Sequence, residues 1–142
     1  MNRRQQIIDI LMLRLQSISI TNGYENDLVK VDEWAVSKLT NKEMPALVLR
    51  DTGSSVDNST SGSGANSLQI EIDILVSDKD TTMSKLRTIM SDVLKSIGTE
   101  SDDLPEYRTF NGDEILAEHQ DRFYGGTRMK FTIVYDAISW EL

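Results

Sequence analysis

The chain of 142 residues contains no cysteine, one histidine and two prolines. The absence of cysteine excludes a disulfide framework and a thiolate metal site, and it fits a reducing compartment. No apolar run approaches the roughly 18–20 residues that a membrane-spanning helix needs. Basic residues precede apolar ones at the N-terminus, but Asp9 and Arg14 interrupt the apolar stretch and no small-residue cleavage site follows, so we expect no signal peptide. The length predicts a single domain, residues 1–142. Because we expect neither a membrane-spanning helix nor a signal peptide, we expect a cytosolic protein.

Basic residues are also scarce, since 15 Lys and Arg against 23 Asp and Glu give a formal charge of −8. A nucleic-acid-binding protein normally needs a basic face to displace counterions from phosphates, so this balance argues against one. Solubility is the commoner role of acidic runs. The alternative hypothesis is a surface that repels DNA, formed by Glu100, Asp102, Asp103, Glu106, Asp113 and Glu114.

Motifs for catalysis and for cofactor binding are lacking. The lone His119 has no GxSxG elbow to serve, and neither a Walker A sequence nor GxGxxG occurs. Residues 78–89 imitate the start of a calcium loop but have Met83 and Ile89 where Gly and Glu are required. Glu71 and Asp73 share one face of a predicted strand, where a solvated face is a commoner role than a weak cation site. We therefore expect no catalytic residues, no metal and no cofactor.

Hydrophobic periodicity predicts two helices. Apolar residues recur at spacings of three and four over residues 3–18, and again over residues 78–97. Asp78 or Asp80 can cap the second helix, and Gly98 stands where a left-handed C-terminal residue is expected.

The remaining apolar segments predict strands. They cover residues 28–36, 46–49, 68–76 and 129–135, with one or two irregular strands in 107–121 and a hairpin signal at Gly125-Gly126. The predicted fold class is α+β: a single mixed, mostly antiparallel sheet of about five strands, with two helices packed on one face. The other face stays wet or is covered by another subunit.

Residues 51–67 separate two of these strands and consist almost wholly of Ser, Gly, Thr, Asn and Asp. Loops longer than roughly 12–15 residues are commonly functional or disordered. A segment so poor in apolar side chains cannot offset its ordering entropy by burial, so we predict a flexible loop. Deleting residues 54–66 should then leave the fold intact.

Several segments together resemble tail terminator, or tail completion, proteins of tailed bacteriophages and the related small neck proteins. The first helix ends in Ile18, followed by Asn22-Gly23-Tyr24. MPALVLRD (44–51), the alternating LQIEIDILV (68–76) and GGTRMKFTIVYDA (125–137) follow along the chain. The resemblance spans nearly the whole sequence and its motifs are structural, so no catalytic residue is carried over.

This resemblance implies a homo-oligomeric ring, typically a hexamer, in the virion tail or neck, assembled in the host cytoplasm. The ring would cap the tail tube protein, stop its polymerisation and present a surface to the head connector, while DNA passes through without specific binding and no membrane is involved. The acidic residues named above would line the lumen. The assembly-interface candidates are Asp51, Ser54, Ser55, Val56, Asp57, Asn58, Ser61, Ser63, Asn66 and Trp140.

Two alternatives remain open from the sequence. One is another neck component, such as a head-completion or stopper protein. The other is a small-molecule-binding domain whose mobile lid is the loop at residues 51–67. Trp34 and Trp140 suit an interface or a core equally, with Trp140 the better interface candidate because it lies near the C-terminus.

Overall fold

The computed structural model describes residues 2–34, 43–60, 63–77, 82–105, 107–119 and 123–138. In chain order its elements are α1 (Arg3–Gln16), β1 (Lys30–Glu33), β2 (Ala46–Thr60), β3 (Ser63–Val76), α2 (Thr82–Gly98), β4 (Arg108–His119) and β5 (Phe123–Ile138). The five strands form one sheet in the order β1-β2-β3-β5-β4. β1 runs parallel to β2 and every other pairing is antiparallel. The predicted α+β class with a mixed sheet is confirmed.

Helix α1 has a defined start and stop. The side chain of Asn2 accepts a hydrogen bond from the Gln5 N–H at 2.7 Å, which satisfies one of the free donors of the first turn. At the other end the Ser17 hydroxyl donates to the carbonyl oxygens of Leu13 and Arg14. The turn at Gly23, with φ of 90°, then reverses the chain, as its sequence predicts.

Both helices pack on the same face of the sheet. α2 buries its apolar stripe against β3 and β5, whereas α1 packs over β1 and β2 and against α2, and together these side chains form one core. Its largest fully buried side chains are Ile7, Leu11, Leu15, Leu47, Leu49, Leu68, Ile70, Ile72, Ile74, Leu86, Ile89 and Met129. This packing covers one face of the sheet.

The opposite face of the sheet carries a network of ion pairs formed by Arg50, Glu71, Asp73 and Arg128. The Arg50 guanidinium lies 2.9 Å from Glu71 and 3.0 Å from Asp73, and Arg128 Nε lies 2.9 Å from Asp73. Hydrogen bonding to Asp73 is the main reason that the pKa of Arg128 is raised. Glu71 and Asp73, which the sequence suggests as a weak cation site, therefore form ion pairs with two arginines.

The prediction of a loop over residues 51–67 is wrong. Residues 51–60 belong to β2 and residues 63–67 to β3, and the two segments pair with each other. β3 also pairs there with β5, from Ser63 opposite Ile138 to Ser67 opposite Val134. The polar segment is thus a strand pair built into the sheet, held by backbone hydrogen bonds that need no apolar side chains. We call it the polar arm.

Three smaller expectations also change. Gly125 and Gly126 lie inside β5, so the hairpin turn does not fall on them. Gly98 closes α2 without a positive φ, so it is not a left-handed cap. The capping candidates Asp78 and Asp80 lie outside the described residues.

Candidate assembly surfaces

The sheet has two outer edges that are unpaired within the described residues. β1 pairs with β2 only from Ala46 to Leu49, so the outer side of β2 is free over residues 51–60. β4 pairs with β5 alone and ends the sheet on the other side. An unpaired strand presents a row of backbone donors and acceptors and is a template for another strand.

The base of the β2 edge is fixed by Asp51. Its carboxylate accepts hydrogen bonds from Arg4 Nε at 2.8 Å and from Trp34 Nε1 at 3.0 Å. Partial burial would raise the pKa of Asp51, but the hydrogen bonds from Trp34 and Arg4 outweigh it and lower the pKa below its usual value. The Arg50 guanidinium lies over the Trp34 ring, 5.7 Å from its centroid. Helix α1 and β1 are thereby tied to the start of the polar arm.

From Thr52 to Val56 the β2 edge is largely open to solvent and uncharged. Thr52, Ser54, Ser55 and Val56 are all exposed, Val56 to 55%. The Ser54 hydroxyl accepts a hydrogen bond from Arg4 Nη1 at 3.5 Å. The exposed backbone here is therefore accessible to a partner strand.

The β4 edge combines a bulge, acid and apolar side chains. The register shifts between Phe110 and Gly112, and Gly112 takes a φ of 115°. Asp113 and Glu114 follow and are both exposed. The exposed large side chains of this region are Tyr107, Phe110, Ile115 and Leu116, with Ile115 at 51%. The sequence places this strand but gives no sign that its apolar residues stay uncovered, because alternation alone does not distinguish an edge from an interior strand.

The predicted interface residues divide into three groups. Asp51, Ser54, Ser55 and Val56 lie on the free β2 edge, as described above. Asn66 is only 4% exposed, so it does not belong on an exposed interface. It lies in β3 between Val56 of β2 and Tyr135 of β5.

The third group consists of residues that the structure describes only in part or not at all. The backbones of Asp57 and Asn58 belong to β2, and Ser63 begins β3, but their side chains are outside the described part of the chain. Ser61 and Trp140 lie outside the described residues altogether. Trp34, weighed beside Trp140, is 47% exposed and stands at the β2 edge.

The acidic residues do not form one cluster. Glu100, Asp102 and Asp103 follow the end of α2, whereas Asp113 and Glu114 lie on β4. Arg108 lies beside Glu100 and Asp102, and the five residues of extended chain from Arg108 to Asp113 span roughly 15 Å. All five acidic residues are exposed, and Glu106 lies outside the described residues.

Asp103 has a structural partner. Arg14 of α1 forms an ion pair with it at 2.8 Å, and Arg14 also donates to the carbonyl oxygens of Ser96 and Thr99 at the end of α2. The hydrogen bond from the Ser101 hydroxyl and the contact with Arg14 lower the pKa of Asp103. This carboxylate therefore anchors the acidic loop to α1.

Near this loop is an open cavity of about 640 Å³, lined by Gly98, Glu100, Ser101, Asp102 and Arg108. Arg108 is held by the carbonyl oxygens of Pro105 and Thr99, at 2.8 and 3.3 Å. Across the described ranges, no three His, Asp or Glu side chains are placed to hold a metal ion. Of the helices described, neither has the length and apolar character to cross a membrane.

Comparison with protein-family models and with curated proteins finds no match to this chain.

Proposed function

We propose that the protein is a structural subunit of a bacteriophage tail that closes into a ring at the head-proximal end of the tail tube. There it ends tube polymerisation and offers a surface for head–tail joining. The observation that carries the proposal is that one subunit has two sheet edges, on opposite sides, that no other described strand covers. A ring requires heterologous contacts, in which two different surfaces of each subunit meet.

The sequence resemblance adds the place of this ring in the virion. The partners would be copies of the same chain, the tail tube protein and the head connector. The proposal requires no catalysis and no cofactor. A lid over a ligand site is disfavoured, since the described part of residues 51–67 lies in the sheet and not over a cavity.

Only some of the acidic residues are proposed to line the channel of the ring. Asp103 is paired with Arg14, and Asp113 and Glu114 lie apart on the β4 edge, so we take Glu100 and Asp102 beside the cavity as the candidates to face DNA in the channel. Carboxylates there would repel phosphates and let DNA slide. A ring structure with both residues on the outer rim would remove this role.

Electron microscopy of particles made without this protein tests the proposal. Loss of a terminator should give overlong tails that carry no heads. Tails of normal length beside unjoined heads would instead indicate a head-completion or stopper protein. Complementation with the wild-type chain is the control, and it should restore normal tail length.

A further inference from the structure

We propose that the contact between subunits is a continuous β-sheet, in which the outer edge of β4 pairs with the free edge of β2 in a second copy of this chain. This inference rests on the proposed ring and names the surfaces that close it. The two segments have similar lengths, since β4 covers residues 108–119 and the free part of β2 covers residues 51–60.

Strand direction favours this pairing. β2, β3, β5 and β4 are successively antiparallel, so β4 runs opposite to β2 within one subunit. When copies follow one another with their strands inclined to the ring axis, β4 therefore lies antiparallel to the β2 of the next copy and is shifted along it, past the part that β1 covers. Antiparallel pairing is the commoner and slightly more stable arrangement. The contact is heterologous and repeats in every subunit.

Charge disfavours the isologous alternative at β4. Two β4 edges brought together would set Asp113 and Glu114 against the same residues of the partner, and like charges directly opposite each other destabilise a sheet. Residues 52–56 of β2 read Thr-Gly-Ser-Ser-Val and carry no charge, and Asp51 and Asp57 flank this stretch. The acidic residues of β4 thus disfavour pairing with a second β4 edge but are compatible with the uncharged stretch of the β2 edge.

The surroundings of the two edges are also complementary. Cross-strand pairing with the buried Met129 places Asp113 on the helix side of the sheet. Arg4 lies on the same side at the β2 edge, beside Ser54. The β4 edge also exposes Ile115, and the β2 edge exposes Val56. Pairing β4 with β2 covers Ile115 and Val56 at once, whereas two paired β2 edges would leave β4 uncovered.

Cysteine cross-linking tests this pairing cleanly, because the natural chain has no cysteine. Ser55 and Glu114 lie on the same face, since Ser55 pairs with Ser67 and Glu114 with Arg128. Paired strands hold opposite Cα atoms about 4.5–5.5 Å apart, within the range of about 4.4–6.8 Å that a disulfide spans. The variants are Ser55→Cys and Glu114→Cys in the full chain, with positions 53–56 of β2 and 108–116 of β4 scanned to find the register.

We expect a disulfide-linked dimer when a β2 variant is mixed with a β4 variant, and no dimer above the control from either alone. The double variant S55C/E114C should give a ladder of linked oligomers. The control is Leu13→Cys, which is 67% exposed and lies on α1 and not on either edge strand.

Three outcomes would overturn the inference. A dimer from β4 variants alone would indicate an isologous β4 contact, and one from β2 variants alone an isologous β2 contact. No cross-link in any mixture would exclude edge pairing. If the wild-type chain still forms rings in that last case, the proposed function stands and only the inferred contact fails.

Discussion

At the scale of single residues, the buried Asp92 shows how one carboxylate can organise a loop. It is 3% exposed and accepts hydrogen bonds from the backbone N–H groups of Glu25 and Asn26, at 3.1 and 3.0 Å. The Asn26 side-chain amide donates to it as well, at 2.9 Å. The segment that leads from α1 to β1 is fixed to α2 in this way.

Replacing this carboxylate should therefore be costly. Asp92→Ala leaves buried donors without an acceptor, and we expect the free energy of unfolding to fall by about 3 kcal/mol. Urea unfolding measures the change. The matched control is Asp102→Ala at an exposed site, which should stay within about 0.5 kcal/mol of the wild type. Equal stabilities for the two variants would contradict the role of Asp92.

Asp51 predicts a pH dependence. Its pKa is lowered in the folded chain by hydrogen bonds from Trp34 and Arg4, against an ordinary value of 3.8. The unfolded chain thus takes up this proton first as the pH falls, so acidification favours unfolding. The stabilisation is present above about pH 4 and is lost as the pH drops through the lower folded value.

We expect Asp51→Asn to flatten the fall in unfolding free energy below about pH 4. Urea unfolding at a series of pH values gives the profile. Ser55→Ala, on the same strand and without a titrating group, should keep the wild-type slope. A slope for D51N that parallels the wild type would show that Asp51 contributes nothing to it.

At the scale of elements, the bulge in β4 depends on Gly112. Its φ of 115° is a conformation that L side chains rarely adopt, although no atom lies within 4 Å of an added Cβ. Gly112→Ala should cost at least about 1 kcal/mol through backbone strain alone. Gly98→Ala is the control, because Gly98 ends α2 in open space without a positive φ. Thermal unfolding that finds the two variants equally stable would refute this account of the bulge.

The polar arm changes the expected result of a deletion. Removing residues 54–66 would delete the Ser63–Asn66 part of a central strand and uncover residues 135–138 of β5. We now expect the shortened chain to lose cooperative unfolding, which circular dichroism during heating would detect. A melting curve like that of the intact chain would restore the original idea of a dispensable loop.

The elements differ in how well their sequences predict them. Alternation along residues 68–76 and the helical stripe of Ile7, Leu11 and Leu15 give the core, because burial on one face leaves a period in the sequence. The polar arm leaves no such period, since its order comes from backbone pairing on both sides of β3. Its Ser- and Gly-rich composition is what led to the loop prediction.

The candidate surfaces are only partly predictable for the same reason. The unusual composition of their segment predicts Ser54, Ser55 and Val56 as interface residues, and the structure places them on a free edge. Ile115 and Leu116 resemble ordinary strand residues, and only the strand order reveals that β4 ends the sheet. Arg4 and Arg14 act through partners far along the chain, at Asp51 and Asp103, which no local pattern indicates.

At the scale of the whole molecule, one subunit offers two different edges that run in opposite directions. This asymmetry favours a closed or open chain of subunits over a two-fold dimer. The ring, the heterologous contact and the terminator role are successive steps of one proposal. The first step is the central claim, because the other two depend on it.

Native mass spectrometry of the wild-type chain over a range of concentrations, alone and with the tail tube subunit, tests that claim most directly. The account predicts one discrete closed species larger than a dimer, and a hexamer of the 16.0 kDa chain would have a mass of about 96 kDa. A chain that stays monomeric or stops at a dimer in both conditions would contradict it.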